Sequence, residues 1–566
     1  MVASHAIDRR GGYWISAWVT VVLGLSAAIT LGFWLVRAVG EEDTEALESP
    51  LMLSVAHQLL AGPGELYGPF GGTNPLVLIH APLYYRAAAL VAWPMAAAGV
   101  DPITAARVAG RSISVLGLLA TLGAAYRLAR LGGAPRRAGW WAVLLIAAAP
   151  VLAGQPVAVR PDMAGVALQT TGVLLVLEAL HARGSQGPGL VAAYVAFGLA
   201  VCVKQHLVMP ATISTCLLVV GGWRGRVPRK AIGCGLLAGA VVVTVVYGLE
   251  GLVTGGRIWQ AAFWAAGTVG LVHPADWDHV AVTWIGIIHM TAGLILLWLA
   301  AGLSVVGARP GIAPKAVAIA GTGWVGLILV LLALRRVQPN PNLSALIVVG
   351  TTGAMTVLTP ICAVIARSSF LGSRIDAGFW IYLAGEVALS SVLFRMSSGA
   401  WSNYAIQAIV FGSVVTARAV ARAADDVSSW RVLMPVALAA WGVLACAVND
   451  LANVVMRTLA DRAAVEAIVT HVGQPRSAVF FSDRPGFNRL GGRTELVYDD
   501  WLYPVFERLG QAEPRSRWLA AALASGPVRV VVKTSPTARI EGVEPSLYVL
   551  GYRRDARAGP FYVWTR

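Results

Sequence analysis

Apolar runs of about 20 residues recur along this chain from Trp14 to Met456, each long enough to cross a hydrocarbon core of about 30 Å as a helix. Within lipid each backbone polar group must be satisfied inside its own segment, so the runs restrict the chain to a polytopic bundle of membrane-spanning helices. Composition agrees: 57% of residues are hydrophobic and 13% charged, against about a quarter charged in soluble domains. The runs are too many and too long for a cleaved leader, and Arg9 and Arg10 ahead of the first read as a cytoplasmic anchor.

A net charge of +15 could suggest a nucleic-acid surface, but the basic residues are not gathered on one face. They sit in short loops between apolar runs, as at Arg127, Arg130, Arg136 and Arg137 and again at Arg224, Arg226, Arg229 and Lys230. That is the positive-inside pattern, so no nucleic-acid partner is expected. The five cysteines lie within or beside apolar runs with no metal-ligand spacing, and imply no disulfide framework.

Keeping basic loops in the cytoplasm orders the spans. The first, about residues 14–38, delivers Glu41, Glu42, Asp43, Glu45 and Glu48 outside. A polar outer loop, 39–81, leads to a short apolar stretch, 82–99, interrupted by Pro94. If that stretch crossed fully, the arginines at 127–137 would be stranded outside, so it reads as a juxtamembrane or re-entrant helix. The remainder then alternates. Arg160–Asp162, Lys204–His206, the loop 254–279, Arg335–Asn342 and Arg395–Tyr404 lie outside. The cluster at 224–230, Arg309 with Lys315, Arg367 with Arg374, and Arg422 with Arg431 lie inside. About thirteen transmembrane helices result, with the polar motifs on one side of the membrane.

After Arg457 the character changes. SAVFFSD (477–483), VRVVVKTS (528–535) and LYVLGY (547–552) are short β-rich runs, and WLYPVFERLG and SRWLAAALA between them look helical. The expectation is an all-α polytopic membrane domain over 1–457, followed by a small extracytoplasmic α/β domain over 458–566.

Four outward segments could carry chemistry. The acidic run 41–48 is either a solvated cap or the source of a general base that takes a proton from an attacking hydroxyl; Asp43 and Glu48 are the candidates. Tyr67, His80, Tyr84 and Tyr85 would wall that region, although tyrosines at a water–lipid boundary are also common anchors. Arg160 and Asp162, in VRPDMAGVAL, stand at the mouth of a span. Asp162 in a first helical turn could simply cap it, while charges facing a cavity at a membrane boundary are functional candidates. Lys204, Gln205 and His206 interrupt apolar sequence; a lysine there must snorkel or meet an anion, and a lipid-carrier phosphate or pyrophosphate would serve. Asn403 and Tyr404, in SSGAWSNYAIQA, could bond a sugar or simply pack between helices.

The acidic first outer loop followed by LLAGPGELY and PLYY, the RPD opening a later span, the KQ between two short spans and the late S-N-Y occur together in that order. This combination resembles GT-C-fold glycosyltransferases, in particular bacterial enzymes related to aminoarabinose transferases, protein mannosyl transferases and the rhizobial lipopolysaccharide transferases. The tail's FFSDRPGFNRLGGR and following DDW add to the likeness, which covers most of residues 1–500.

The resemblance implies an inverting enzyme of the bacterial cytoplasmic (inner) membrane, with its N-terminus inside. A sugar would move from a polyprenyl-phosphate donor to a hydroxyl of an envelope glycan, lipid or protein on the outer face. It implies Asp43 or Glu48 as base and Asp162 as a second acidic residue. Arg160, Lys204 and His206 would bind the donor phosphate, and Gln205, Tyr67, His80, Tyr84, Tyr85, Asn403 and Tyr404 would line the pocket. Family members commonly carry an adjacent acidic pair where this chain spreads its acids, so the base stays open between Asp43 and Glu48. No metal or cofactor is expected. The competing class is a transporter or lipid-linked glycan flippase, but the chain lacks a clear internal repeat and its polar motifs gather on one face rather than at mid-membrane depth.

Overall fold

The computed structural model describes residues 17–32, 49–67, 78–149, 158–181, 187–266, 374–396 and 402–423, scattered positions at 268–287 and 444–524, strand residues 479–482 and 528–533, and most of 536–566. The acidic run with Asp43 and Glu48, the spans expected between 288 and 373 and the segment WLYPVFERLG lie outside the described residues.

The described part of the chain to residue 423 is helical. Helices α1 (Ala17–Gly32), α2 (Ser49–Ala61), α3 (Leu83–Ala97), α4 (Pro102–Arg130), α5 (Arg136–Ala147), α6 (Asp162–His181), α7 (Gly187–Val203), α8 (Met209–Trp223) and α9 (Arg229–Val253) follow in order. Next come a π-helical turn at Trp259–Ala265 and then α10 (Arg374–Met396) and α11 (Ile406–Ala423). Among the described residues four helices are long and apolar enough to cross a membrane, within α4, α6, α9 and α10. Helices α7 and α8, on either side of Lys204, are apolar but shorter.

Two readings change. The outer loop is not polar throughout: α2 lies within it and buries Met52, Leu53, Val55 and Ala56. The stretch at 82–99 is not interrupted at Pro94, because α3 runs through it to Ala97. Proline in the last turn leaves only one backbone bond unmade and the helix ends within a few residues, so the usual break is avoided.

Helix α4 starts on Asp101, whose Oδ2 accepts from Thr104 N at 2.8 Å, with Pro102 in the first position. Its other end is closed from a distance. Arg418 of α11, 2% exposed, donates to the carbonyls of Ala129 at 2.9 Å and Leu131 at 2.6 Å. Arg137 of α5 returns the favour to α11 by donating to Ala421 O at 3.0 Å. Arg137, part of the basic cluster at 127–137, therefore satisfies a helix end.

Helix α6 packs between α4 and α7, and α7 packs on α9. The approach is close: a Cβ placed on Gly198 of α7 would lie 2.8 Å from the carbonyl oxygen of Gly239 in α9. Small residues at crossings are how lipid-embedded helices gain contact, since burial from lipid offers no hydrophobic drive. Outward, α9 presents Leu237, Val241, Leu249 and Leu252, all strongly exposed, as a face suited to acyl chains.

In the C-terminal part, β1 (Val479–Ser482), β2 (Val528–Lys533), β3 (Arg553–Ala558) and β4 (Phe561–Thr565) form a sheet in the order β1-β2-β4-β3. β1 and β2 run parallel and the other neighbours antiparallel. The runs around 480 and 530 are strands as expected, but LYVLGY is not. Residues 547–551 turn, with Leu550 N donating to Ser546 O at 3.1 Å and Gly551 at φ 85°. Tyr548 and Val549 are both exposed while Leu547 and Tyr552 are buried. That spacing cannot lie on a pleated surface, and β-propensity counts only where one does.

Candidate functional site

The segment ahead of α6 is pressed onto α4 by glycines and held by hydroxyls. A Cβ at Gly117 would sit 2.7 Å from the backbone carbon of Met163, and one at Gly110 would sit 2.5 Å from a methyl of Val159. Between them in α4, Ser114 Oγ bonds the carbonyls of Ala158 at 2.8 Å and Arg160 at 3.1 Å. Tyr84 of α3 bonds Gly110 O at 2.9 Å. The backbone of the Arg-Pro-Asp turn is thereby clamped against a rigid helix. Gly117→Val is expected to push the start of α6 away, costing about 1–3 kcal/mol by overpacking; the thermal midpoint of the purified protein measures it.

So positioned, the Asp162 carboxylate meets the turn between α7 and α8. Lys204, 3% exposed, forms an ion pair with Asp162 Oδ1. The same oxygen accepts from Asn403 Nδ2 at 3.1 Å, across 241 residues of chain. The ammonium lies 4.4 Å from the ring centroid of Tyr404, and His206 stacks on that ring at 4.4 Å. A lysine on an aromatic face and against a carboxylate is stabilised as a cation in a dry setting. Three segments far apart in sequence thus converge, with half-buried Arg160 two residues before the carboxylate.

Two cations against one carboxylate leave the mouth of this site with a surplus positive charge. Burial is the main force lowering His80 to about 4, and Lys204 adds to it; the imidazole is therefore neutral at ordinary pH. It is not a third cation here. His206 is likewise held below the usual histidine range by burial first and by Lys204 second.

The other expected residues support the site rather than open onto it. Gln205 accepts from Ala81 N at 3.1 Å and donates to Ile79 O at 3.0 Å, fastening the loop before α3 to the α7–α8 turn. Tyr67 donates to His80 O at 2.7 Å. Tyr67, Tyr84 and Tyr85 are at most 1% exposed, so they form a packed layer behind the turn; His80 and Tyr85 rings lie nearly parallel at 6.5 Å.

Sequence reasoning missed several residues. Asp162, His206, Asn403 and Tyr404 share a small cavity with Gln169 of α6, Glu386 of α10 and Gln407 of α11. A carboxylate inside the apolar run of α10 was the available signal, because an intramembrane acid is costly without a purpose. Arg86 and Glu250 also escaped notice. Arg86 of α3 grips both carboxylate oxygens of Glu250 in α9, and donates to Gln58 Oε1 at 2.8 Å and Pro63 O at 2.6 Å. No group of three or more His, Cys, Asp or Glu suited to a metal occurs among the described residues.

No protein-family model matches the chain, and comparison with curated proteins returned no match. Solved structures do match. ArnT from Cupriavidus metallidurans bound to undecaprenyl phosphate superposes with a TM-score of 0.50 at 16% identity, over 95% of this chain and 97% of that one. The Archaeoglobus fulgidus oligosaccharyltransferase in its apo form gives 0.50 at 13% identity over 91% and 69%. The same enzyme tethered with an acceptor peptide containing the NVT sequon gives 0.50 at 12% identity over 96% and 74%. At these identities the likeness shows the fold: the chain is a membrane protein with the GT-C architecture.

Proposed function

We propose that this GT-C protein is an inverting glycosyltransferase that moves a sugar from a polyprenyl-phosphate donor to a hydroxyl acceptor on the extracytoplasmic face. The observation that carries the reading is the convergence of Lys204, Asp162, Asn403 and Tyr404 beside Arg160 at helix ends. Such a site offers fixed positive charge and a neutral hydrogen-bonding wall, on a fold whose solved examples include one bound to undecaprenyl phosphate.

The acceptor oxygen attacks the anomeric carbon as a base takes its proton, and the bond from that carbon to the phosphate oxygen breaks. Attack opposite the leaving group inverts the centre. Polyprenyl phosphate departs with added negative charge, which Lys204 and Arg160 are placed to offset. Preorganised cations act most strongly where charge develops. Asp162 and Asn403 orient the lysine, and the polyprenyl chain lies on the apolar helix surfaces. The reading calls on no metal or cofactor, because the two cations supply the electrostatics. The acceptor is a hydroxyl of an envelope glycan, lipid or protein.

The base belongs to the acidic run, as Asp43 or Glu48. Asp43→Asn or Glu48→Gln is expected to slow transfer by about 10²–10⁴-fold, the usual range for a general base, with expression retained. The proposed setting is a bacterial cytoplasmic membrane, with the N-terminus inside and residues 458–566 forming an extracytoplasmic domain that contacts acceptor. The test is mass spectrometry of lipid-linked sugars and surface glycans in cells lacking the protein and in cells carrying the double amide variant. Accumulation of one polyprenyl-phosphate sugar together with loss of one glycan residue supports the proposal and names both substrates. Unchanged pools in both strains overturn it.

A further inference from the structure

Three buried polar side chains below the Lys204–Asp162 pair have hydrogen-bonding capacity that the protein leaves unused. Gln169, 0% exposed, has partners for neither its Oε1 nor its Nε2. Glu386, 3% exposed, has an unpartnered Oε1. Gln407, 2% exposed, donates to Thr170 Oγ1 at 3.1 Å and leaves its own oxygen open. They come from three helices and line one cavity, shared with Asp162 and Asn403. Unpaired buried polar groups are rare in folded proteins, and several around one space indicate a missing partner.

The free groups define that partner's chemistry. Three acceptor oxygens and one amide donor are left open on residues that line the cavity, so the complement must be rich in donors and able to accept once. A phosphate fails, offering mainly acceptors where three of the four open atoms are oxygens. A polyprenyl chain fails, having neither donors nor acceptors. Hydroxyl chemistry satisfies the set, since a hydroxyl both donates and accepts, as an ordered water also does; of the donor's parts only its sugar carries several hydroxyls.

We propose that Gln169, Glu386 and Gln407 form the pocket for the hydroxyls of the donor's sugar, adjoining the phosphate position at Lys204 and Arg160. This rests on the donor reading above. Gln169 lies seven residues along α6 from Asp162, a span of about 10 Å at 1.5 Å per residue, which matches the reach from a phosphate across one sugar ring. Sugar choice then resides in these three side chains, while carrier recognition resides at the outer turn.

The test uses the full-length protein in lipid nanodiscs, titrated by tryptophan fluorescence with undecaprenyl phosphate and with a panel of undecaprenyl-phosphate hexoses and pentoses. Wild type, Glu386→Gln and Gln169→Leu are compared after size exclusion. Glu386→Gln keeps the side chain's size and its hydrogen-bonding reach, so folding is retained even if Gln169→Leu perturbs packing. Wild type is expected to bind bare carrier, and to bind one glycosylated carrier tighter by about ten-fold or more, the scale of one or two added hydrogen bonds. Each variant should lose that preference while holding bare carrier within about two-fold. A preference retained in Glu386→Gln, or equal weakening of both ligands, overturns the pocket and assigns the cluster to packing or structural water. Wild type that binds bare carrier without preferring any sugar overturns the pocket alone. Wild type that fails to bind bare carrier overturns the donor reading, and the pocket with it.

Discussion

Lys204→Met is expected to lower the stability of the protein by about 3–5 kcal/mol, the cost of leaving a buried carboxylate without its cation. The pair is well placed for so large an effect: Lys204 is 3% and Asp162 5% exposed, and the remaining partner of that carboxylate oxygen is a neutral amide from Asn403. The double variant Lys204→Met/Asp162→Asn should recover most of the loss, because two neutral groups replace two charges and nothing charged is stranded. Thermal unfolding in nanodiscs reads both. Transfer behaves differently: neither variant should regain it, with turnover down by about 10²–10³-fold, the range for losing one preorganised electrostatic group. If the double variant recovered both stability and turnover, Lys204 would be a structural counter-ion with no part in the reaction. If the single variant were as stable as wild type, the pair would not be buried in the membrane protein.

The second large effect is expected at Arg86 of α3. Arg86→Met removes four hydrogen bonds at once, two to Glu250 and one each to Gln58 and Pro63 O. Glu250, with its side chain 7% exposed, then loses its ion-pair partner Arg86. A loss of about 2–4 kcal/mol follows, reduced from the fully buried case because the Arg86 side chain is 22% exposed. The consequence is more specific than destabilisation. Arg86 joins α3 to α9 and to the chain at 58–63, the segment directly downstream of the acidic run. Arg257 reinforces the same connection through an ion pair with Glu65 at 3.4 Å. Hydrogen exchange over residues 49–67 should therefore rise in Arg86→Met far more than over α6 or α7. Equal loosening everywhere would mean that the network contributes stability without locating the outer segment. Glu250→Gln in the same background should add little, since the two residues act as one unit.

Much of this site could be read in one dimension. Charges that interrupt apolar runs are conspicuous, and requiring basic loops to share a side put Arg160, Asp162, Lys204, His206, Asn403 and Tyr404 together on the outside. Periodicity gave no help with the buried acid of α10, although a carboxylate amid apolar residues was visible. The roles of Gln205 and Tyr84 were not legible either. A glutamine fastening two loops and a glutamine facing substrate have the same sequence context, and only the identity of the carbonyls within reach separates them.

The linear chain by itself determined that this is a multi-pass membrane protein, since apolar length and the placement of arginines are properties that no packing arrangement can change. The placement of arginines also led to the expectation that the chemistry-bearing motifs share one side. Only the tertiary structure decided which of them meet. Asp162 pairs with Lys204 and Asn403 because Gly110 and Gly117 let α6 approach α4 within the space of a methyl group. That distance depends on side chains absent from both glycines, which leaves no mark on hydropathy. The fate of LYVLGY has the same cause in reverse: its residues favour a strand locally, and a turn held by Ser546 and Tyr548 carbonyls prevails because Leu547 and Tyr552 must both reach the core.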